Sequence, residues 1–213
     1  MLSHKTFVFN PFQENTYVLW NDANEAVIID PGCYDTAEQQ KLVGFISEKE
    51  LIVKAIWLTH AHIDHVLGLQ FCMDKWDIPY YLNQAEVSQL KAVEVYAPNY
   101  GFNDFKGIDV GGKTFDLSDV SIGEEVFKVI FVPGHSPGHV AFFHEKTSQV
   151  WAGDVLFRQS IGRTDLPGGN FEILKNSILT KLYTLHENTI VYPGHGPKTD
   201  IGFEKKYNPF VSI

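Results

Sequence analysis

The sequence predicts a layered α/β domain with helices on the outside. Strand-like and helix-like segments alternate in both halves of the chain. Four short apolar runs stop abruptly and are followed within a few residues by a histidine or an aspartate. A composition of 44% hydrophobic and 14% aromatic residues gives 213 residues enough apolar material for a substantial core. No repeat, low-complexity tract or Pro/Gly/Ser linker divides the chain, so residues 1–213 read as one domain.

The elements follow in order. Thr6–Phe9, Thr16–Trp20 and Ala26–Ile29 are rich in β-branched and aromatic residues and read as strands, the third stopped by the turn at Asp30-Pro31-Gly32. Ala37, Leu42, Phe45 and Ile46 recur at near-helical spacing and predict a helix over Thr36–Lys49, and Val53–Leu58 is a short buried-strand run. Val66–Trp76 reads as a helix, Ile78–Leu82 as a strand and Gln84–Val95 as a helix. Tyr96–Gly112 is Gly- and Asn-rich yet carries Tyr96, Tyr100, Phe102 and Phe105, which predicts a long aromatic loop that lines or covers a substrate entrance. Strands return at Glu125–Val132, His139–His144 and Gln149–Trp151. A helix is expected over Phe171–His186 and a last strand at Thr189–Pro193.

The net charge of −9 and the lack of any Lys/Arg stripe argue against nucleic acid or an anionic membrane as the main partner. The N-terminal stretch has no basic region leading into an apolar segment, and no window reaches membrane-spanning length, so a cytoplasmic location is expected. Cys33 and Cys72 form no C-x-x-C pair and are expected to be buried hydrophobes.

The chemistry concentrates in "THAHIDH", residues 59–65. After the apolar run, His60 and His62 fall on one side of an extended backbone and can share a cation. Asp64 and His65 begin the next helix, turned toward a second cation at the separation of two-metal hydrolytic sites. Three further segments have the same design of strand, Gly turn and ligand: they deliver His135, Asp154 and His195, with Gly134, Gly153 and Gly194 allowing the turns. His60, His62 and His135 are assigned to one ion and Asp64, His65 and His195 to the other. Asp154 is assigned to both, because a carboxylate can bridge. Histidine and carboxylate ligands without cysteine suit zinc first, and also iron or manganese. Water bound between two dications would be the nucleophile. His139 is read as supporting a ligand rather than being one, and His4, His144 and His186 as ordinary histidines.

"THAHIDH", "PGHSPGH", "AGDVLF" and "YPGHGP" occur in an order that resembles the metallo-β-lactamase superfamily, and within it the glyoxalase II-like (hydroxyacylglutathione hydrolase-like) branch. The resemblance implies an αββα four-layer sandwich with a dinuclear site, and gives Asp30 of "IIDPG" a place beside the metals without ligating them. It also implies a hydrolase of thioesters such as S-D-lactoylglutathione. The chain stops soon after His195 and so looks like the short, single-domain group. "GHGPKT" lacks the aromatic residue that follows the last histidine in the longer enzymes, which separates glutathione specificity from metal-assisted hydrolysis. Arg163 falls where the longer enzymes carry a basic residue facing the substrate, and its guanidinium can grip a carboxylate or pair with Asp165.

The leading reading is a dinuclear metal-dependent thioester hydrolase acting on a small molecule. The alternative is a mononuclear iron persulfide dioxygenase, whose family shares the string "GRTD". A non-catalytic metal-binding module comes third. A β-lactamase role is set aside because no export signal is seen.

Overall fold

The computed structural model describes residues 1–108, 113–115 and 118–213. It contains two compact units. The first holds the chain up to residue 108 with Lys113–Phe115 and Ile122–Glu125, and the second holds residues 118–121 and Val126–Ile213.

In the first unit β1 (Ser3–Phe9), β2 (Glu14–Trp20), β3 (Glu25–Ile29), β4 (Ile52–Trp57), β5 (Tyr80–Asn83) and β6 (Lys113–Phe115) lie side by side in chain order. The first three are antiparallel and joined by tight turns, and β3 through β6 are parallel. Parallel neighbours need crossovers, which helices provide. These are α1 (Thr36–Glu48) between β3 and β4, α2 (Ile63–Val66) and α3 (Leu69–Trp76) between β4 and β5, and α4 (Val87–Tyr96) after β5. The Asp35 side chain caps α1 by accepting the Glu38 amide. The helix buries Leu42 and Ile46, an i, i+4 pair contributing about 1.5–3 kcal/mol per side chain. Val18, Ile28, Ile56 and Leu58 form the centre of this core. Because β3, β4 and β5 run the same way, Asp30, the Thr59–His65 segment and Glu86 all emerge at one edge of the sheet.

The second sheet has the order β14-β13-β10-β9-β8-β7. These strands are β7 (Val120–Ile122), β8 (Glu125–Phe131), β9 (Val140–His144), β10 (Gln149–Gly153), β13 (Ile190–Pro193) and β14 (Thr199–Asp200), and β11 (Leu156–Phe157) and β12 (Ser160–Ile161) form a separate hairpin. β9 is antiparallel to both β8 and β10, and β13 is parallel to β10, so β8, β10 and β13 share a direction. The loops carrying His135, Asp154 and His195 therefore leave one edge together. Helix α5 (Phe171–Thr180) buries Leu174 and Ile178 against Val132, Val150 and Val191, and α6 (Ile201–Tyr207) closes the chain's regular structure. Among the described residues no helix is long and apolar enough to cross a membrane. Cys33 and Cys72 are buried thiols.

Several expectations are corrected. The helix expected over Val66–Trp76 is two helices parted at Leu67 and Gly68. Gly68 gives its N–H to Pro31 O at 2.8 Å, and a Cβ there would stand 2.5 Å from Cys33 Sγ, so the Asp30 loop packs where a continuous helix would place a side chain. The Tyr96–Gly112 loop is not structureless: Tyr96 ends α4, and Ala97–Tyr100 is a 3₁₀ turn with Pro98 near its start. Residues 109–112 of that prediction lie outside the described residues. The helix expected over Phe171–His186 stops at Thr180, and Leu182–Thr184 is a separate 3₁₀ turn. Thr189–Pro193 is not the last strand, since β14 follows it.

Candidate metal centre

In the first unit, Asp30 organises the ligand segment. Its Oδ1 accepts the Thr59 amide at 2.7 Å, and its Oδ2 accepts the Thr59 hydroxyl at 2.6 Å and faces His65 Nδ1 at 3.1 Å. A carboxylate only accepts, so His65 carries its proton on Nδ1 and its lone pair on Nε2. The Thr59 hydroxyl spends its proton on Asp30 and can only accept from His60 Nδ1, 3.0 Å away, which places the His60 lone pair on Nε2 as well. Asp30, Thr59, His60 and His65 are all buried, and Asp30 holds a left-handed backbone (φ 49°) that an aspartate tolerates. The rings of His60 and His62 stand edge to face 4.7 Å apart, and those of His60 and His65 lie 4.2 Å apart. Asp30 also lies within reach of a cation shared with His60 and His65. Both its oxygens already accept hydrogen bonds, which suits a carboxylate that orients the histidines from behind.

His65 Nε2 is 3.6 Å from Asp64 Oδ2. That is longer than a hydrogen bond and close to the ~3.3 Å separating two donors bound tetrahedrally to one small cation.

Sequence reading missed three side chains here. Glu86 is buried, and its Oε2 accepts the Ala61 amide at 2.9 Å, fixing the peptide between His60 and His62. Asn10 donates from Nδ2 to Asp64 O at 2.9 Å and to Gly32 O at 3.1 Å, pinning the β1–β2 turn to the ligand segment. Glu14 is buried with Oε2 2.8 Å from the Thr16 hydroxyl, and Thr16 in turn lies 2.8 Å from Asp30 O and accepts Gly32 N–H. Burial pushes the Glu14 carboxyl well above the usual range, with His65 acting in the opposite sense. Its Oε1 has no hydrogen-bond partner among the described residues. The available signal was the string "NPFQENT", polar side chains opening a strand whose other residues are apolar and buried.

In the second unit, His135 Nδ1 donates to Arg163 O at 2.7 Å, which again leaves the lone pair on Nε2. Asp154 Oδ2 stands 3.5 Å from His135 Nε2 and 3.5 Å from His195 Nε2. One carboxylate oxygen thus stands at donor spacing from two imidazole nitrogens. His139 is buried and accepts the Asp154 amide on Nε2 at 3.1 Å, so it holds the aspartate's backbone. Gly162, just past β12, lets the chain pass alongside: a Cβ there would meet Asp154 O at 1.9 Å. Gly134 and Gly153 take the positive φ expected of turns, whereas Gly194 gives its N–H to Gly153 O at 2.8 Å and ties the His195 loop to the Asp154 loop.

Arg163 makes a bidentate pair with Asp165 at 2.8 and 2.7 Å, both side chains exposed, and this pair holds the Asp165 carboxyl at about 2. His144 meets Thr147 Oγ1 at 2.7 Å, and His186 Nδ1 accepts the Asn188 amide.

The donor set, nitrogen and carboxylate oxygen with imidazoles held from behind, fits divalent cations such as zinc, iron or manganese. A model described as "Metallo-beta-lactamase superfamily" matches residues 9–195. The chain is 42% identical to the probable metallo-hydrolase YqgX of Bacillus subtilis (strain 168), covering 95% of this chain and 94% of that one. It is 35% identical to hydroxyacylglutathione hydrolase GloC of Haemophilus influenzae, covering 94% of each. Among solved structures it resembles the BLEG-1 B3 metallo-β-lactamase, with a TM-score of 0.87 and 40% identity over 99% of this chain and 100% of that one. It also resembles TTHA1623 in a di-iron-bound form, with a TM-score of 0.87 and 37% identity over 97% and 99%. The mixed α/β fold is that of these neighbours.

Proposed function

We propose that this chain, which belongs to the metallo-β-lactamase superfamily and is in general terms a metal-dependent hydrolase, hydrolyses thioesters of the glyoxalase II type. The proposal includes two divalent cations, zinc first. His60, His62 and His135 serve one, Asp64, His65 and His195 the other, and Asp154 both, within a single domain and a cytoplasmic setting.

The observation that carries the reading is Asp154 Oδ2 at 3.5 Å from both His135 Nε2 and His195 Nε2. That oxygen is at donor spacing from both imidazoles, so Asp154 can share a cation with each of them. Bound cations would supply a deprotonated water near neutral pH and polarise the carbonyl under attack. The chain's own residues do the positioning. Asp30 and Thr59 fix the tautomers of His65 and His60, Arg163 O fixes that of His135, and Glu86 and His139 hold the backbones of His62's loop and of Asp154. A thiolate leaves without a strong general acid, which agrees with a site whose ionisable side chains are mostly committed to ligation. The relative GloC is named a hydroxyacylglutathione hydrolase, which supports the thioester class.

The test is one preparation assayed for metal content, for hydrolysis of S-D-lactoylglutathione and simpler thioesters, for nitrocefin hydrolysis and for oxygen uptake with a persulfide. The expected result is about two metals per chain and thioester cleavage abolished by chelation, with thermal stability lowered because metal binds only the folded state. One iron with oxygen uptake and no hydrolysis would replace the reading by the dioxygenase. Full thioester cleavage after complete metal removal would end it.

A further inference from the structure

The hairpin β11–β12 cannot hold its shape alone. Each strand has two residues, paired as Leu156 with Ile161 and Phe157 with Ser160, and Arg158 and Gln159 form the turn. Gln159 lies in the left-handed region (φ 56°), which a glycine adopts freely and a glutamine adopts only where its surroundings hold it. Something outside the hairpin therefore fixes its tip.

Helix α6 and its flank supply the grip. The Glu204 side chain is buried, and its Oε2 accepts the Gln159 amide at 3.0 Å and Asn208 Nδ2 at 2.8 Å, while its Oε1 accepts the Thr199 hydroxyl. Asn208, also buried, donates from the same Nδ2 to Ser160 O at 3.0 Å. The Arg158 guanidinium lies over the Phe203 ring, 4.6 Å from its centroid. Arg158, Gln159 and Ser160, three successive residues at the tip, are each held from α6 or the residue that follows it.

The rest of the hairpin bears on all three candidate ligands of the second unit. Asp154 stands two residues before β11. Gly162 follows β12, donates its N–H to Val155 O at 3.3 Å, and packs so closely on Asp154 O that no side chain fits between them. Next comes Arg163, whose carbonyl accepts His135 Nδ1 at 2.7 Å. Phe157 meets the His195 ring edge-on at 6.2 Å. We propose that Glu204 and Asn208 are positioning residues of the metal centre: by holding the hairpin's tip they fix how Asp154, the Arg163 carbonyl and the His195 ring are presented. The inference rests on the reading of these side chains as metal ligands, and it makes α6, which carries no ligand, part of the centre's support.

The experiment reads histidine tautomers by nitrogen–proton correlation in the metal-free protein with labelled imidazoles, and zinc affinity by competition with a chelator. In the wild type, His135 and His65 should each show one tautomer with the proton on Nδ1. In Glu204→Leu, His135 should lose its single tautomer while His65, held by Asp30 in the first unit, keeps its own. Zinc affinity should fall roughly tenfold, the lower end of what losing a partner behind a ligand costs. Glu204→Gln should stay close to the wild type on both readouts: its oxygen can take the place of Oε2, and its NH₂ then faces Thr199, whose hydroxyl can accept instead.

Gln159→Pro breaks the same grip from the exposed tip, because it removes the amide that Glu204 accepts and cannot adopt a positive φ. It should reproduce the Glu204→Leu result, and it carries the test if Glu204→Leu does not fold. An unaltered His135 tautomer or an unaltered zinc affinity overturns the proposal. So does an equal change at His135 and His65, which would mark general loosening. The tautomers are read without metal and without turnover, so a wild type that cleaves no thioester ends the hydrolase reading and leaves this test in force.

Discussion

Replacing Asp30 by asparagine should weaken metal binding at His65 before it harms the fold. Asp30 accepts three hydrogen bonds, from Thr59 N at 2.7 Å, Thr59 Oγ1 at 2.6 Å and His65 Nδ1 at 3.1 Å. An asparagine has one accepting atom and one donating group for the same positions. With its oxygen toward Thr59 Oγ1 and His65, its NH₂ points at the Thr59 amide and two donors oppose each other. Turned round, the NH₂ meets His65 and drives the imidazole proton to Nε2, the atom that would ligate. Either orientation forfeits a hydrogen bond to a charged acceptor, about 1.5–3 kcal/mol, at a buried position. Loss of such a supporting partner lowers metal affinity about 10–100-fold, and the upper figure corresponds to roughly 2.7 kcal/mol. Titrating zinc into the apo protein against a chromophoric chelator, with elemental analysis of the product, measures the two affinities separately. Unaltered binding at both sites in Asp30→Asn, with the fold intact by circular dichroism, would refute the orienting role.

The other predictions concern the bridge, the loop arginine and the buried acid. Asp154→Ala should lower activity and metal content more than His65→Ala, because it removes the oxygen placed 3.5 Å from two imidazoles; equal metal and equal rates would discard the bridge. For thioesters with a carboxylate on the thiol carrier, Arg163→Met should raise KM roughly tenfold with little change in kcat, since that charge lies away from the reacting carbonyl. Equal loss on uncharged thioesters would show instead that Arg163 holds its loop through Asp165, its bidentate partner. Glu14 has its carboxyl raised by burial, so its contribution to stability is fully present below the ordinary value of 4.5 and is lost as pH rises toward the higher folded value. Glu14→Gln should flatten that decline in melting temperature above pH 4.5, and a decline of the same slope in the variant would exclude Glu14 as its source.

The sequence by itself determined the alternation of strands and helices and the seven candidate ligands, because both are written in short-range pattern. β2 and β3 are apolar runs bounded by turn residues, and His60-Ala61-His62 follows the end of β4 at a spacing that only an extended backbone uses for one side. The resemblance carried by "IIDPG" set the expectation that Asp30 stands beside the metals without ligating them. What it could not give were effects depending on groups far apart in the chain. The helix after His65 breaks because Gly68 meets Pro31 and Cys33 from another loop, and no local signal in "VLGLQ" announces that contact. Glu86 is 25 residues from the amide it holds and Asn10 is 54 from Asp64, so their roles exist only once parallel strands bring those loops to one edge. The same holds for proton placement: a histidine in a sequence has two equivalent nitrogens, and only Asp30, Thr59 and the Arg163 carbonyl, set by tertiary structure, decide which one is left to bind a metal.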